Sequence, residues 1–265
     1  MTTITNSKSD LYLNRVRLYQ YLKEFLYLRV YILILTLSII LSYSVYFLFD
    51  TKTIAHFDKE NSFFEIMTPI YLFVASLLFV ILFLKSKNFY VLILSFVLFF
   101  GAGEEISWGQ RIFDFKTPET LKEINVQQEF NLHNIELFNS INNQHHPKKG
   151  IDRLLEINFL FRLFTLFWGI VLPVCLYHIN SLRFVATRMK LPIPPVSIGI
   201  FFLLNWIVFW LLHSFILSPE NEPGYLESAN EIFESVAAFI LLILSFYFFS
   251  TRKIIRLGND IKAII

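Results

Sequence analysis

One cysteine, Cys175, is the entire thiol content of the 265 residues. It lies inside an apolar run, which excludes a disulfide framework and a cysteine-based metal site. Glycine (8) and proline (9) are sparse, and no Gly/Ser linker, low-complexity tract or internal repeat divides the chain. No Gly-x-Ser-x-Gly elbow occurs, so Ser107 lacks the setting of a serine nucleophile. No aspartate falls within the long apolar blocks, which argues against an aspartyl intramembrane protease. Gly101-Ala102-Gly103 leads into carboxylates, the wrong charge for a phosphate-cradling loop. His-x-x-x-His is absent, and with it the pattern of alkaline-ceramidase-like hydrolases. Charged residues make up only 17%, and a net charge of +2 implies no nucleic-acid partner.

Apolar surface is what the chain has in excess. It is 55% hydrophobic and 18% aromatic, with a mean hydropathy of +0.55. Soluble domains sit nearer 45–50% apolar. The excess is gathered into six blocks, roughly 29–49, 63–84, 89–110, 157–179, 195–217 and 228–250. Each can cross a hydrocarbon core of about 30 Å at 1.5 Å per residue. The first is too long and too late for a cleaved signal peptide. Pro192, Pro194 and Pro195 mark the start of the fifth, where a missing N–H costs little.

Basic residues orient the blocks. Arg15, Arg17, Lys23 and Arg29 precede the first; Lys85 and Lys87 join the second and third; Arg183, Arg188 and Lys190 join the fourth and fifth; Arg252, Lys253 and Arg256 follow the sixth. All four clusters fall on one side, which the positive-inside rule makes cytosolic. The expected fold is an all-α integral membrane protein, a single polytopic domain over 1–265, with six transmembrane helices and both termini cytosolic. Residues 1–28 carry Leu11, Leu18, Leu22 and Phe25 at helical spacing among basic residues, a pattern for a helix lying on an anionic membrane surface. The extracytoplasmic loop 111–156 is expected to hold one or two short helices, with Asn142 to Gly150 as its most mobile piece.

Polar residues converge at the outer ends of these blocks. Glu65 opens the second; Glu104, Glu105, Ser107, Gln110 and Arg111 close the third; Arg162 is one turn into the fourth; His213 is near the end of the fifth; Glu227, Asn230, Glu231 and Glu234 open the sixth. Ionisable groups at membrane depth are functional candidates by default. The last four repeat at i, i+3, i+4 and i+7, one face of a helix, and Glu104, Ser107, Trp108 and Arg111 repeat that spacing. Glu129, His133 and Glu136 repeat it in the outer loop. His145 and His146 read as solvent-exposed loop residues, and Trp108, Trp168, Trp206 and Trp210 as interface or packing aromatics.

An acidic stripe needs a cation, a shared proton or an arginine. Carboxylate and histidine from several helices are how bundles build divalent-metal sites. The expected metal ligands are Glu104, Glu129, His133, Glu231 and Glu234, for zinc, manganese or iron. Glu105, Ser107, Arg111 and Arg162 are the expected catalytic group: Glu105 as general base or metal-supporting carboxylate, and Arg111 or Arg162 as holder of an anionic group. Gln110, Glu227, Asn230 and His213 complete the polar cluster.

Gly103-Glu104-Glu105-Ile106-Ser107-Trp108-Gly109-Gln110-Arg111, Thr117-Pro118 and Asn131-Leu132-His133-Asn134 together resemble a signature of uncharacterised multi-pass bacterial membrane proteins. The resemblance covers about 35 residues and implies an integral protein of the bacterial inner membrane, with no reaction attached. The expected function is metal-assisted hydrolysis or group transfer on a lipid or lipid-linked substrate at the outer leaflet. The alternatives are a proton- or cation-coupled transporter or channel, and a non-catalytic assembly partner whose polar cluster is structural. The sequence leaves the oligomeric state open.

Overall fold

The structure, a computed structural model, describes residues 4–58, 62–139, 148, 150–216, 224, 225 and 227–251, with backbone only at 4–25, 58, 111 and 151–153. The Arg111 side chain, His145, His146, most of Asn142 to Gly150 and the basic cluster after residue 251 lie outside the described part.

The described residues are mostly helical, with one isolated antiparallel bridge, Asn125 to Ile135, and no strand among them. Seven helices carry the architecture: α1 (Ile4–Leu48), α2 (Phe63–Ser86), α3 (Phe89–Glu105), α4 (Ile157–His178), α5 (Asn180–Met189), α6 (Val196–Phe215) and α7 (Glu227–Thr251). Five stretches, Leu26–Leu48 of α1 together with α2, α4, α6 and α7, are long and apolar enough to cross a membrane. This is a membrane protein. At 17 residues α3 spans about 26 Å, just short of a hydrocarbon core.

Two local expectations change. α1 runs unbroken from Ile4, so the basic N-terminal segment continues the helix of the first span and is no separate element. The third block stops being helical at Glu105, five residues before its apolar run ends. Ser107, Trp108 and Gly109 all take positive φ (46°, 53° and 80°), a sharp left-handed turn. The i, i+3, i+4, i+7 face expected through Arg111 is therefore cut after its first member.

The centre is α7. In its apolar stretch 78% of residues are buried, against 22–39% in the other four. It packs on α1, α2 and α6, and α2 in turn packs on α3. Small residues on α7 (Ser228, Ala229, Ser235, Ala237, Ala238 and Ser245) are all buried and let its neighbours close in from several sides. Between α1, α6 and α7 sits a polar clasp. Tyr43 donates its hydroxyl to Asn205 Oδ1 at 2.7 Å, and Asn205 Nδ2 donates to the Phe233 carbonyl at 2.9 Å. Asn205 is fully buried with both amide ends used, as a buried amide requires.

α4 crosses α6 at its closest point through two glycines. A single π turn, Phe167–Val171, interrupts α4 there, and Trp168 Nε1 donates to the Pro192 carbonyl at 3.0 Å. A Cβ on Gly199 would lie 1.8 Å from the Gly169 carbonyl oxygen, which is backbone and has nowhere to go. Gly199→Ala is expected to lower stability by about 1–3 kcal/mol, the usual range for overpacking. Gly101→Ala, whose Cβ would meet Leu72 Cδ1 at an ordinary 3.4 Å, should change it little. Thermal melts of both variants in detergent check the pair.

Candidate functional site

Where α3 ends, its last turn and the turn after it grip the α3–α4 loop. Glu104 Oε2 accepts the backbone N–H groups of Leu132 (2.5 Å) and His133 (2.9 Å), and its Oε1 accepts Trp108 Nε1 at 2.6 Å. Trp108 folds back over Gly103, where a Cβ would sit 2.9 Å from the indole ring. Ser107 donates its hydroxyl to Glu129 Oε2 at 2.8 Å, and Asn131 Nδ2 donates to the same oxygen at 2.8 Å. Gln110 spans two loop positions: its Oε1 accepts Phe130 N–H at 2.7 Å and its Nε2 donates to Thr117 Oγ1 at 2.9 Å.

The loop is folded on itself by amides and not by helices. Asn125 Nδ2 donates to Asn131 at both its carbonyl and Oδ1 (2.9 Å each), and Asn125 Oδ1 accepts the N–H groups of Gln127 and Glu129. Backbone bonds from Val126 to Asn134 and from Glu136 to Ile124, both 2.9 Å, close the loop. Its helical content, single turns at Gln110–Phe113 and Glu119–Lys122 and a 3₁₀ segment at Gly150–Leu155, excludes residues 128–139. The expected helical spacing of Glu129, His133 and Glu136 therefore does not apply. Asparagine and glutamine side chains supply the local bonds that compete with helix.

The signature residues thus divide into two groups. Glu104, Ser107, Trp108, Gln110, Thr117, Glu129 and Asn131 hold the loop to the helix end. Glu105 has no hydrogen bond or ion pair with a described residue, yet its carboxylate feels His133, Glu231, Glu65 and Glu104. Glu234, on α7, feels Glu105, His133 and Arg162, with Asn158 of α4 near it. Arg162 lies against the rings of Phe209 (4.6 Å) and Phe233 (4.7 Å), with Nη2 3.4 Å from Asn230 Oδ1. One end of the bundle therefore brings together Glu65, Glu104, Glu105, His133, Arg162, Asn230, Glu231 and Glu234.

Three expected members stand apart. His213 is exposed and stacks on Phe209 at 5.9 Å, Glu227 is exposed with Oε2 accepting the Gly224 N–H at 3.2 Å, and Glu129 serves the loop fold. Asn158 and the Tyr43–Asn205 pair were not expected. Asn158 precedes Arg162 by one helical turn, and Asn205 is a lone amide in an apolar span; both signals were available. Among the described residues no group of three His, Cys, Asp or Glu side chains is arranged to hold a metal ion. No protein-family model, curated protein or solved structure matches this chain.

His133 Nδ1 is buried without a hydrogen-bond partner, 3.6 Å from Glu104 Oε2. Burial favours the neutral ring; Glu104, then the charges of Glu105 and Glu234, favour the imidazolium and prevail, lifting the His133 pKa above its usual 6.5. A raised folded-state pKa stabilises the fold fully below the unfolded value and loses that contribution as pH rises through the folded one. With chelator present, stability is expected to fall as pH rises from about 6.5, and His133→Gln should flatten that dependence. Melting temperatures of both proteins between about pH 6 and 9 check the sign.

Proposed function

We propose that this chain is an enzyme of the bacterial inner membrane, a hydrolase or group transferase acting with a divalent cation on a lipid or lipid-linked substrate at the outer leaflet. In this reading α3 is the sixth span, the termini are cytosolic and the site opens outward. The observation that supports it most is the meeting of Glu105, Glu234 and His133, from α3, α7 and the α3–α4 loop, in mutual electrostatic contact.

Charge supports the cation. Among the described side chains five carboxylates (Glu65, Glu104, Glu105, Glu231 and Glu234) share one end of the bundle with His133 and Arg162. Buried like charges are tolerated when a proton or a cation is shared among them. Among the described residues no three such side chains converge, and a pair of carboxylates such as Glu105 and Glu234 would hold the ion. An oxygen-rich, partly hydrated site suits manganese better than zinc. Such an ion polarises an ester or phosphoryl oxygen when bound. Glu105, which has no hydrogen bond with a described residue, takes a proton from the attacking water or hydroxyl; His133 gives one to the leaving group. Arg162 offsets Glu234.

A transporter needs a polar path through the bundle. The buried hydroxyls away from this end are turned to carbonyls instead: Ser76 donates to the Ser95 carbonyl at 2.8 Å, Ser95 to that of Ser76 at 3.1 Å, and Ser245 to that of Leu242 at 2.7 Å. These bonds favour a one-sided site.

Elemental analysis of protein purified in mild detergent tests the reading. The expected outcome is about one divalent metal per chain, lost in a Glu105→Gln/Glu234→Gln variant of unchanged melting temperature. A folded wild type that stays metal-free after incubation with manganese, zinc and iron would overturn it.

A further inference from the structure

We infer that Glu104 and Glu105, adjacent in sequence, do different work: Glu104 is a positioning residue that sets His133 over the site, and Glu105 acts in it. The inference rests on the reading of Glu105, His133 and Glu234 as the working group.

The geometry of Glu104 carries it. Both oxygens are taken by N–H donors, one from Trp108 and two from the backbone at Leu132 and His133. The two backbone bonds fix the peptide of the residue whose imidazole reaches the site, and the same oxygen lies 3.6 Å from His133 Nδ1. Glu104 is 7% exposed in its side chain, and all three donors approach it from fixed directions. The Trp108 indole is wedged over Gly103 and against Phe99 and Phe100, so it braces the carboxylate from the side opposite the loop. Glu105 has no such commitments, although Glu65, Glu231 and His133 surround it electrostatically. Neighbours on a helix point about 100° apart, so one carboxylate faces the loop and the other the site.

Glutamine cannot replace Glu104. Its amide offers one acceptor oxygen and one NH₂, and in either orientation the NH₂ opposes an N–H donor, from Trp108 or from the Leu132–His133 pair. At position 105 glutamine disturbs no hydrogen bond with a described residue.

Three measurements separate the roles. The first is hydrogen exchange of the Leu132 and His133 amides, expected to speed up about tenfold or more in Glu104→Gln and to stay unchanged in Glu105→Gln. The second is the distance distribution between spin labels at positions 133 and 234, introduced as His133→Cys and Glu234→Cys with Cys175→Ser. It should be narrow, broaden with Glu104→Gln and ignore Glu105→Gln. The third is manganese affinity of otherwise unlabelled protein, expected to weaken about tenfold in Glu104→Gln although its neighbours remain, and to be lost in Glu105→Gln.

An unchanged distance distribution in Glu104→Gln overturns the inference. So does faster exchange with manganese affinity intact, which would make Glu104 a loop-holding residue only. A wild type that binds no manganese defeats the proposed cation site, and positioning is then judged on the exchange and the distances alone. Should Glu104→Gln fail to fold, Glu104→Asp keeps the charge but retracts it by one methylene; a narrow distribution there overturns the inference equally.

Discussion

A carboxylate at the end of an apolar helix must find donors, and Glu104 finds three. They come from two directions, the indole of its own helix end and two consecutive peptides of the α3–α4 loop. Charge-assisted bonds to backbone N–H groups are short and strong, and stronger still where water is scarce. That single group joins α3 to the loop. Without it the loop has Ser107 and Gln110 as its remaining grips on the helix end.

The left-handed turn at Ser107–Gly109 exists for the same junction. Non-glycine residues at positive φ carry strain of order 1–3 kcal/mol each, sustained only when the surroundings determine them. Here the surroundings are specific. Ser107 must leave the helix for its hydroxyl to reach Glu129, and Trp108 must turn back for its indole to reach Glu104. Strained backbone, a buried carboxylate with every oxygen engaged and an unpartnered imidazole nitrogen lie within one short stretch of space. A mechanism built there would have the last turn of α3 on one side and the central helix α7 on the other.

The electrostatics divide along the same line. The oxygens of the carboxylates that hold the loop, Glu104 and Glu129, are met by hydrogen bonds. Those facing inward, Glu105 with Glu231 and Glu234, mostly meet one another, with His133 and Arg162 as the offsetting charges. The first arrangement stabilises a fold. The second gathers charge that a proton, a cation or a charged substrate could share.

Composition alone determined the class: long apolar blocks exceed what a soluble core can hold, and only helices satisfy their own backbone in lipid. The order of the blocks also placed polar residues at block ends, where Glu65, Glu105, Arg162, Glu231 and Glu234 meet at one end of the bundle. The stripe of Glu231 and Glu234 was legible because α7 is helical through it. The roles of Glu104, Glu105, Ser107 and Glu129 were not. Helical periodicity holds only while the helix lasts, and α3 ends at Glu105 for reasons that lie 24 to 28 residues away, in Glu129, Leu132 and His133. An asparagine-rich loop that folds through side-chain amides has no period to read. Which of two adjacent glutamates faces the loop was decided by where that loop docks, a tertiary fact that no spacing along the chain contains.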